Sequence, residues 1–479
     1  PPPPPATFPP PAPPHAPGDY PHVNSNEFNA NWGVAGARAQ AAWQAGATGA
    51  GVLIGVIDDG IHPNHPELAG RISADSVDIV PGRNALVTDQ SHGSELAAIM
   101  AGNYNGQQTV GLAFDAQILA IRADKGTFSS ADLAAAVDYA REQGVHVINL
   151  SLGSAGESSP ALQQAIARAT AAGIIFVVSA GNCGQGGSHC SGGVATNPNY
   201  PGFLALDPSI SNGLMMIAGG LNSNGTLNTV SNPPGSAGEF YMVAPGWEII
   251  VPDFGPVGAV PGFQTCGLGP NGDLCRIQGT SYASPIITAA VALVKDGFPG
   301  LTPAQIVELL FITADDEGAP GTDSLYGRGR LNIARAFEPV GTLSAPLASL
   351  EVSPMSVVGA LGPAFGDGFS HSGAWNVASF DYFDRTYAMD LSRAWMRAET
   401  GPSLVAQAPL LWRSEAAGPV RVQAAFAESV APDSFRTAIA RADLEQNPMR
   451  IEAEIAPGFT AAFAAHGARA DYDDNGVVS

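Results

Sequence analysis

The stretch RIQGTSYASPIITAAVALVK, residues Arg276–Lys295, decides the fold of this protein. Its second half is apolar on every side, which predicts a buried helix and not a surface helix. Thr280 is the predicted N-cap, and Pro285 is expected in the first turn, where its missing N–H costs little. The Ser281 hydroxyl then lies at the positive end of a central helix. The alternative is a capped core helix in which Ser281 only bonds its own backbone.

Two further stretches supply the groups that a hydroxyl nucleophile needs. VLIGVIDDG, residues 52–60, has the apolar run of a buried parallel strand and ends in acids. Ser91 is the predicted N-cap of a second apolar helix, whose first turn contains His92. These residues can form a nucleophilic triad, in which Asp58 orients His92, His92 takes the proton and Ser281 attacks. Their order along the chain is that of the subtilisins, not of the chymotrypsins or α/β-hydrolases.

The chain after His92 alternates strand and helix patterns, which is typical of βαβ units and a parallel sheet. The predicted strands are 118–121, 145–152 and 174–178, and the predicted helices are 130–143 and 160–172. Gly144 and Gly173 are expected to end the two helices.

Five blocks of this sequence resemble, in the family's order, the signature blocks of the subtilisin-like serine proteases, or subtilases. They are VLIGVIDDG with IHPNHPEL, SHGSELAAIMAG, VINLSLGS, FVVSAGN and GTSYASP. The resemblance covers residues 30–340 and implies an α/β fold with a doubly wound parallel sheet, followed here by a β-rich C-terminal appendage. It also implies a serine endopeptidase with Asp58, His92 and Ser281 as its catalytic residues.

The same resemblance assigns residues around the nucleophile. Asn182 matches the asparagine whose amide donates to the developing oxyanion. One segment is similar to the backbone that pairs with extended substrate, and a second is expected to help line the pocket for the residue before the scissile bond. These substrate-binding residues are Ser151, Leu152 and Gly153, and Ser179, Ala180 and Gly181.

Three residues depart from the usual subtilase pattern. Asp59 stands where many members have Ser or Thr, and Ser94 and Glu95 stand where Thr and a second His are usual. None of them replaces a member of the triad. Glu95 lies one helical turn from His92 and can tune its imidazole, but we favour the interpretation that it is a solvated first-turn acid.

The composition bounds the partners and the compartment. The chain has 21 Lys and Arg against 43 Asp and Glu, a net charge of −22, which argues against nucleic acid or an anionic membrane as partner. No apolar run reaches the length of a membrane helix. The chain begins at Pro1 without a signal segment, so any leader was removed or never included. We expect an extracellular, cell-surface or periplasmic protein.

The four cysteines form two local pairs, Cys183 with Cys190 and Cys266 with Cys275. Closeness favours disulfides between these partners, and disulfides imply an oxidising compartment. A zinc site is the alternative, although the spacing is wider than CxxC and only His189 lies nearby. By the family resemblance, no cofactor is required for the chemistry, and structural calcium is allowed.

We divide the chain into a proline-rich arm (1–18), a catalytic domain (19–340), a linker or irregular lobe (341–373) and a β-rich C-terminal region (374–479). PAFGDGF and FDYFDRTYAMDL resemble the region that joins subtilase passengers to outer-membrane barrels in Gram-negative autotransporters. This suggests a barrel anchor in a longer precursor. The alternating runs of the C-terminal region predict antiparallel strands. Residues 471–476 match half of a calcium loop, for which an acidic turn is the favoured interpretation.

The predicted function is therefore a secreted or surface endopeptidase that acts on proteins or peptides. A catalytically inactive subtilase that serves as a binding module is the first alternative, and the intact triad argues against it. An esterase is the second. The GxSxG elbow of the α/β-hydrolases is missing around Ser281, which argues against that alternative.

Overall fold

The structure is a computed structural model, and it describes most of the first 341 residues. The described residues are 15–16, 18–83, 86–87, 90–188, 190, 193–255, 264–341, 343 and 376–390, together with six short strands from residue 359 onward. Most of the proline-rich arm, nearly all of the predicted linker and the half calcium loop lie outside these residues. Among the described helices, none is both long and apolar enough to cross a membrane. The chain divides into two compact units, Pro1–Glu338 and Pro339–Ser479.

A seven-stranded parallel sheet forms the centre of the first unit. Its strands are β1 (Leu53–Asp58), β2 (Val77–Asp78), β3 (Gln117–Arg122), β4 (Val147–Leu150), β5 (Ile175–Ser179), β6 (Met215–Leu221) and β7 (Tyr241–Pro245). Their order in the sheet is β2-β3-β1-β4-β5-β6-β7, and all neighbours pair in parallel. The strands are almost entirely buried, as continuous apolar runs in a sheet covered on both faces require.

The strand order reverses at β1, because β3 lies on one side of it and β4 on the other. In open α/β sheets, ligands bind outside the carboxyl ends of the strands at such a switch point. Asp58 is the last residue of β1, and Ser151 directly follows β4. The topology therefore brings two predicted site residues to this edge of the sheet.

Helices cover both faces of the sheet. Those of the first unit are α1 (Asn26–Ala30), α2 (Trp32–Gly36), α3 (Gln40–Gln44), α4 (His92–Ala101), α5 (Ser130–Glu142), α6 (Pro160–Ala171), α7 (Pro208–Ser211), α8 (Thr280–Gly297), α9 (Pro303–Ile312) and α10 (Ile333–Phe337). On one face α5 and α6 pack in a core with alternate strand residues such as Ile57, Ile148 and Phe176. On the other face α8 packs against β4–β7 and against α4, which also contacts β1. The predicted α/β doubly wound fold is confirmed.

A small antiparallel sheet precedes α8. It contains β8 (Ile249–Pro252), β9 (Gln264–Leu268) and β10 (Leu274–Ile277), in the order β8-β10-β9. The Cys266–Cys275 disulfide joins β9 to β10, and the Cys183–Cys190 disulfide closes a loop after β5. Both predicted pairings are confirmed. Cys266 and Cys275 also lie beside Asp253, but their sulfur atoms are bonded to each other and are not available as metal ligands.

The second unit contains antiparallel strands. A hairpin of β12 (Asn376–Phe380) and β13 (Thr386–Asp390) has a buried ion pair at its turn, with Arg385 Nη2 2.6 Å from Asp381 Oδ2. A four-stranded antiparallel sheet contains β15 (Leu411–Ala417), β16 (Val420–Phe426), β17 (Met449–Ala456) and β18 (Phe459–Ala465). The expected antiparallel pairing is found. Two short strands, β11 (Gly359–Leu361) and β14 (Trp395–Arg397), pair in parallel.

Candidate active site

Asp58 ends the central strand and faces His92. Its Oδ1 lies 2.9 Å from His92 Nδ1 and also accepts a hydrogen bond from the Asp59 backbone N–H at 2.8 Å. Its Oδ2 is buried and has no hydrogen-bond partner among the described residues. A buried carboxylate with one bare oxygen interacts strongly with a nearby positive charge. Asp58 therefore favours the protonated form of the His92 imidazole.

His92 is the first residue of α4, and Asp59 holds this end of the helix. The Asp59 carboxylate accepts hydrogen bonds from the backbone N–H groups of His92 (3.2 Å) and Gly93 (2.8 Å). The helix end packs so closely that a Cβ at Gly93 would lie 2.2 Å from the Gly60 carbonyl oxygen. Ser91 occupies the predicted N-cap position, but its side chain makes no capping bond. The neighbouring acid performs that role instead.

Glu95 is not a solvated acid, and the favoured interpretation of this residue was wrong. Only 2% of the residue is exposed. Its carboxylate accepts hydrogen bonds from Tyr282 Oη (2.7 Å), Gln264 Nε2 (2.9 Å) and Ser91 Oγ (2.7 Å). The partners come from α8, β9 and the residue before α4, so the packing of three segments removes Glu95 from water.

Ser281 is the second residue of α8, and two details of this helix differ from the prediction. Thr280 is inside the helix instead of capping it, because Gly279 occupies the N-cap position with a φ of 141° that favours glycine. Pro285 lies beyond the first turn. It cannot donate to the carbonyl four residues earlier, which is that of Ser281. That carbonyl instead accepts a hydrogen bond from Ser151 Oγ at 2.7 Å.

A chain of buried polar groups supports this contact, and sequence reasoning missed it. Asn149 Nδ2 donates to Ser151 Oγ at 3.0 Å. Asn149 Oδ1 accepts hydrogen bonds from Ser284 Oγ (2.8 Å) and Thr288 Oγ1 (3.1 Å) on α8. Ser281 Oγ, in turn, lies 3.3 Å from the Ser151 backbone oxygen. The signal available in the sequence was polar residues inside an apolar strand and an apolar helix, where they require partners.

Asn182 lies three residues after the end of β5 and contacts the start of α8. Its Oδ1 accepts hydrogen bonds from the Thr280 backbone N–H (2.9 Å) and the Thr280 hydroxyl (3.0 Å). The same hydroxyl accepts from the Gly181 backbone N–H at 3.1 Å. Two donors on the amide oxygen define which end of the side chain carries the NH₂ group. Thr280 thus orients Asn182, a role that the N-cap prediction did not anticipate.

The predicted site residues border one cleft of about 710 Å³. Asp58, His92, Asn182 and Ser281 all line it. So do five of the six predicted substrate-binding residues: Ser151, Leu152, Gly153, Ser179 and Gly181. Ala180 is the exception, because it is fully buried and its backbone bonds Ala218 and Asn199.

A second cavity of about 550 Å³ adjoins the cleft, since both are lined by Gly153, Cys183 and Asn199. The described residues that line it are all uncharged, and they include Cys190, Tyr200 and Phe203. The Cys183–Cys190 disulfide therefore forms part of its wall. Of the six predicted substrate-binding residues, only Gly153 lines this second cavity.

Three carboxylates affect the proton on His92. Burial disfavours the imidazolium, but the charge and hydrogen bond of Asp58, together with Asp59 and Glu95, outweigh it and raise the pKa of His92 to about 10. Burial and the neighbouring Asp58 raise the pKa of Asp59 to about 7. Burial and Glu95 also raise the pKa of the Tyr282 phenol well above its usual value. The cluster holds a proton at His92 more firmly than an isolated imidazole would.

Glu27 and Glu67 are buried acids that do not line the cleft. Glu27 on α1 accepts hydrogen bonds from the backbone N–H groups of Asn105 (2.9 Å) and Gly106 (3.0 Å). Glu67 accepts one from Asn105 Nδ2 (3.2 Å), whereas its Oε2 is buried without a hydrogen-bond partner in the described part of the chain. Burial raises the pKa of Glu67 to about 8. Carboxylate oxygens such as Glu67 Oε2 are the type of atom that hard cations bind.

Comparison with known proteins decides the family. The model of the subtilase family matches residues 49–329, which include every residue of the cleft. The chain belongs to the subtilase family. Subtilisin Savinase from Lederbergia lenta is 30% identical to this subtilase over 307 residues, which are 64% of this chain and 97% of that protein. Subtilisin BL from the same organism is 31% identical over 309 residues, with the same two shares.

Alkaline elastase YaB from Bacillus sp. is 29% identical over 307 residues, 64% of this chain and 69% of that protein. The family and these relatives make this subtilase a subtilisin-like serine protease, as predicted. The matched region ends before the second unit begins, so the relation to autotransporters stays a prediction.

Proposed function

We propose that this subtilase is an endopeptidase in which Ser281, His92 and Asp58 act as nucleophile, general base and orienting acid. The observation that supports this most directly is the 2.9 Å contact between Asp58 Oδ1 and His92 Nδ1 in the cleft that Ser281 also lines. With Nδ1 bonded to the acid, Nε2 of His92 is the nitrogen available to the substrate side.

The reaction divides into two steps. Ser281 Oγ bonds to the carbonyl carbon while its proton passes to His92 Nε2. The C–N bond then breaks, and the amine leaves with that proton. Water attacks the acyl-enzyme by the same route and releases the acid together with Ser281. The positive charge that forms on His92 lies beside the Asp58 carboxylate, which stabilises it.

Asn182 and the Ser281 backbone N–H are the proposed donors to the oxyanion. Thr280 occupies the amide oxygen of Asn182 with two hydrogen bonds, so the NH₂ end is the end suited to a developing negative charge. A donor that is oriented before the reaction does not have to reorganise during it, which is the basis of oxyanion stabilisation.

Substrate is proposed to lie along residues 151–153 in an extended form, pairing with the backbone beyond β4. The adjoining cavity of about 550 Å³, which shares Gly153 with this segment, is proposed to receive a neighbouring side chain of the substrate. Since the described residues of its lining are uncharged, we expect it to favour neutral side chains over Asp, Glu, Lys or Arg.

A structural calcium ion is proposed to bind at the buried carboxylates of Glu27 and Glu67. Glu67 Oε2 is a buried oxygen without a described protein partner, and a hard cation would satisfy it. The ion would stabilise the protein and take no part in the proposed peptide cleavage. The two disulfides support a site of action outside the reducing cytoplasm.

Labelling with a fluorophosphonate probe, together with cleavage of casein and a peptide library, tests this function. We expect stoichiometric labelling of Ser281 and internal cleavage of peptides, both lost in Ser281→Ala. A folded protein that neither reacts nor cleaves would instead be the inactive binding module. Hydrolysis of small esters without any peptide cleavage would indicate the esterase.

A further inference from the structure

Glu95 is a buried charged group that the proposed triad does not use. Its three partners are the hydroxyls of Tyr282 and Ser91 and the side-chain amide of Gln264. The Gln264 nitrogen can only donate, and both hydroxyls are able to donate. Three donors around one carboxyl group suit the ionised form, which is an acceptor on both oxygens.

The contact with Tyr282 connects Glu95 to the reacting groups. Tyr282 directly follows Ser281, and its ring packs against the His92 ring at a centroid distance of 5.6 Å and an interplanar angle of 62°. Only 7% of Tyr282 is exposed. Glu95 follows His92 by three residues in α4, which places both on the same side of that helix. Glu95, Tyr282 and His92 thus form a compact group that spans α4 and α8.

We propose that Glu95 and Tyr282 are positioning residues for the reaction: the Glu95 carboxylate stabilises the protonated imidazole of His92, and the hydrogen-bonded Tyr282 ring holds that imidazole in place. The inference rests on the proposed function, because it assigns a role to groups around the base of that reaction. As a consequence, His92 should lose its proton and become active as a base at a more alkaline pH than it would beside Asp58 alone.

The charged and titratable groups that surround His92 support a shift of its titration to more alkaline pH. Asp58 and Asp59 lie at the end of β1, Glu95 on α4 and the Tyr282 phenol on α8. Arg122, at the end of β3 beside Asp58, forms an ion pair with Asp124 at 2.8 Å. Three carboxylates therefore act on one imidazole, and all three raise the pKa of His92. Glu95 is the one of the three that also bonds the neighbour of Ser281.

A purely structural role for Glu95 makes a different prediction. Its hydrogen bonds link α4, α8 and β9, so its loss destabilises the fold in either case. If the role is structural, removing the Glu95 charge leaves the proton affinity of His92 unchanged. If the proposed role is correct, removing that charge lowers the proton affinity of His92. The pH dependence of catalysis separates the two.

The experiment compares the full chain with Glu95→Gln, Tyr282→Phe and the control Glu142→Gln, which removes an exposed acid from α5. The acidic limb of kcat/KM against pH is measured with a neutral peptide substrate, and the His92 imidazole is titrated directly by NMR. We expect Glu95→Gln to move both pKa values down by about one pH unit, because one of the nearby negative charges is lost. Tyr282→Phe keeps the Glu95 charge, so it should move the acidic limb by less than half as much as Glu95→Gln. It removes the hydrogen bond that holds the ring, so it should lower kcat at every pH. Glu142→Gln should match the wild type.

An unchanged imidazole pKa in folded Glu95→Gln overturns the electrostatic part of the proposal. An unchanged kcat in Tyr282→Phe overturns the positioning part, and this second variant decides the matter if Glu95→Gln does not fold. Should the wild type neither label nor cleave peptides, the proposed function fails. The NMR titration still tests the effect of Glu95 on His92 in that case.

Discussion

At the scale of single residues, this site differs from a generic Asp–His–Ser set by its excess of negative charge. Asp58, Asp59 and Glu95 are buried and surround one imidazole. Burial weakens the screening by water, so each charge acts more strongly than it would at the surface. The neutral base that the proposed reaction needs is therefore favoured by alkaline pH.

Asp59→Asn tests this charge at the end of β1. Burial and Asp58 raise the pKa of Asp59 to about 7, which is below that of His92, so the Asp59 carboxylate is ionised in the alkaline range where His92 titrates. A negative neighbour favours the imidazolium, and its removal lowers the pKa of His92. We expect the acidic limb of kcat/KM to move to lower pH by roughly one unit, measured beside Glu308→Gln as a control for an exposed acid. A limb that moves to higher pH contradicts the charge assignment.

Asn182→Ala tests the proposed oxyanion donor. Removing such an amide should lower kcat by about 10²–10³-fold and leave KM nearly unchanged, the magnitude known for this type of donor in subtilisin itself. Steady-state kinetics with a peptide substrate measures it. Thr280→Val is the companion variant, because it retains Asn182 but removes one of the two donors that orient its amide. A full rate in Asn182→Ala would exclude the role.

At the scale of elements, α8, which carries the proposed nucleophile, is fixed at its start by contacts from strand ends. The proline at position 285 leaves the Ser281 carbonyl without its helical partner, and Ser151 from the end of β4 replaces it at 2.7 Å. Asn149, Ser284 and Thr288 extend this link into the core. The position of Ser281 thus depends on the register between β4 and α8.

Ser151→Ala removes the hydroxyl but keeps the backbone that is proposed to pair with substrate. The Ser281 carbonyl and the Asn149 amide would each lose a partner, so we expect a loss of about 1–3 kcal/mol in the free energy of unfolding. We also expect lower kcat, because the first turn of α8 is less firmly held. Urea unfolding and kinetics measure the two effects, and Ser158→Ala, outside the cleft, is the control. Unchanged stability and rate would mean that another group supports this carbonyl.

At the scale of the whole molecule, every residue proposed for catalysis lies in the first unit, Pro1–Glu338. A chain that ends at Glu338 should therefore retain peptidase activity. Peptide cleavage and circular dichroism of the shortened chain test this. A folded but inactive protein would mean that residues after 338 help to build the site, and the proposed domain division would be wrong.

The proposed calcium site connects α1, through Glu27, to Glu67 and to the loop after α4. Calcium binds the folded state and should raise the melting temperature, and EDTA should lower it. Glu67→Gln keeps the shape of the side chain but removes the charge, so it should abolish the response to both. Differential scanning calorimetry measures the effect. An equal calcium response in Glu67→Gln would place the ion elsewhere.

The sequence by itself determined the features that depend on local order. The buried strand ending at Asp58 and the apolar helix beginning near Ser281 follow from continuous runs of apolar residues. The two disulfides join partners only 7 and 9 residues apart, so closeness along the chain was sufficient to predict them. The five blocks, in their order, predicted the family.

The tertiary structure decided what depends on distant partners. The local sequence predicts that Glu95 is a solvated helix acid. Its burial could not be predicted, because it depends on Tyr282, 187 residues away, and on Gln264, 169 residues away. The hydroxyl of Ser151 meets the Ser281 carbonyl across 130 residues. Hydrophobic periodicity reports which side of an element faces the core, but not which polar atoms meet there. The contacts that orient the proposed reacting groups arise only when strand ends and helix starts converge at the switch point of the sheet.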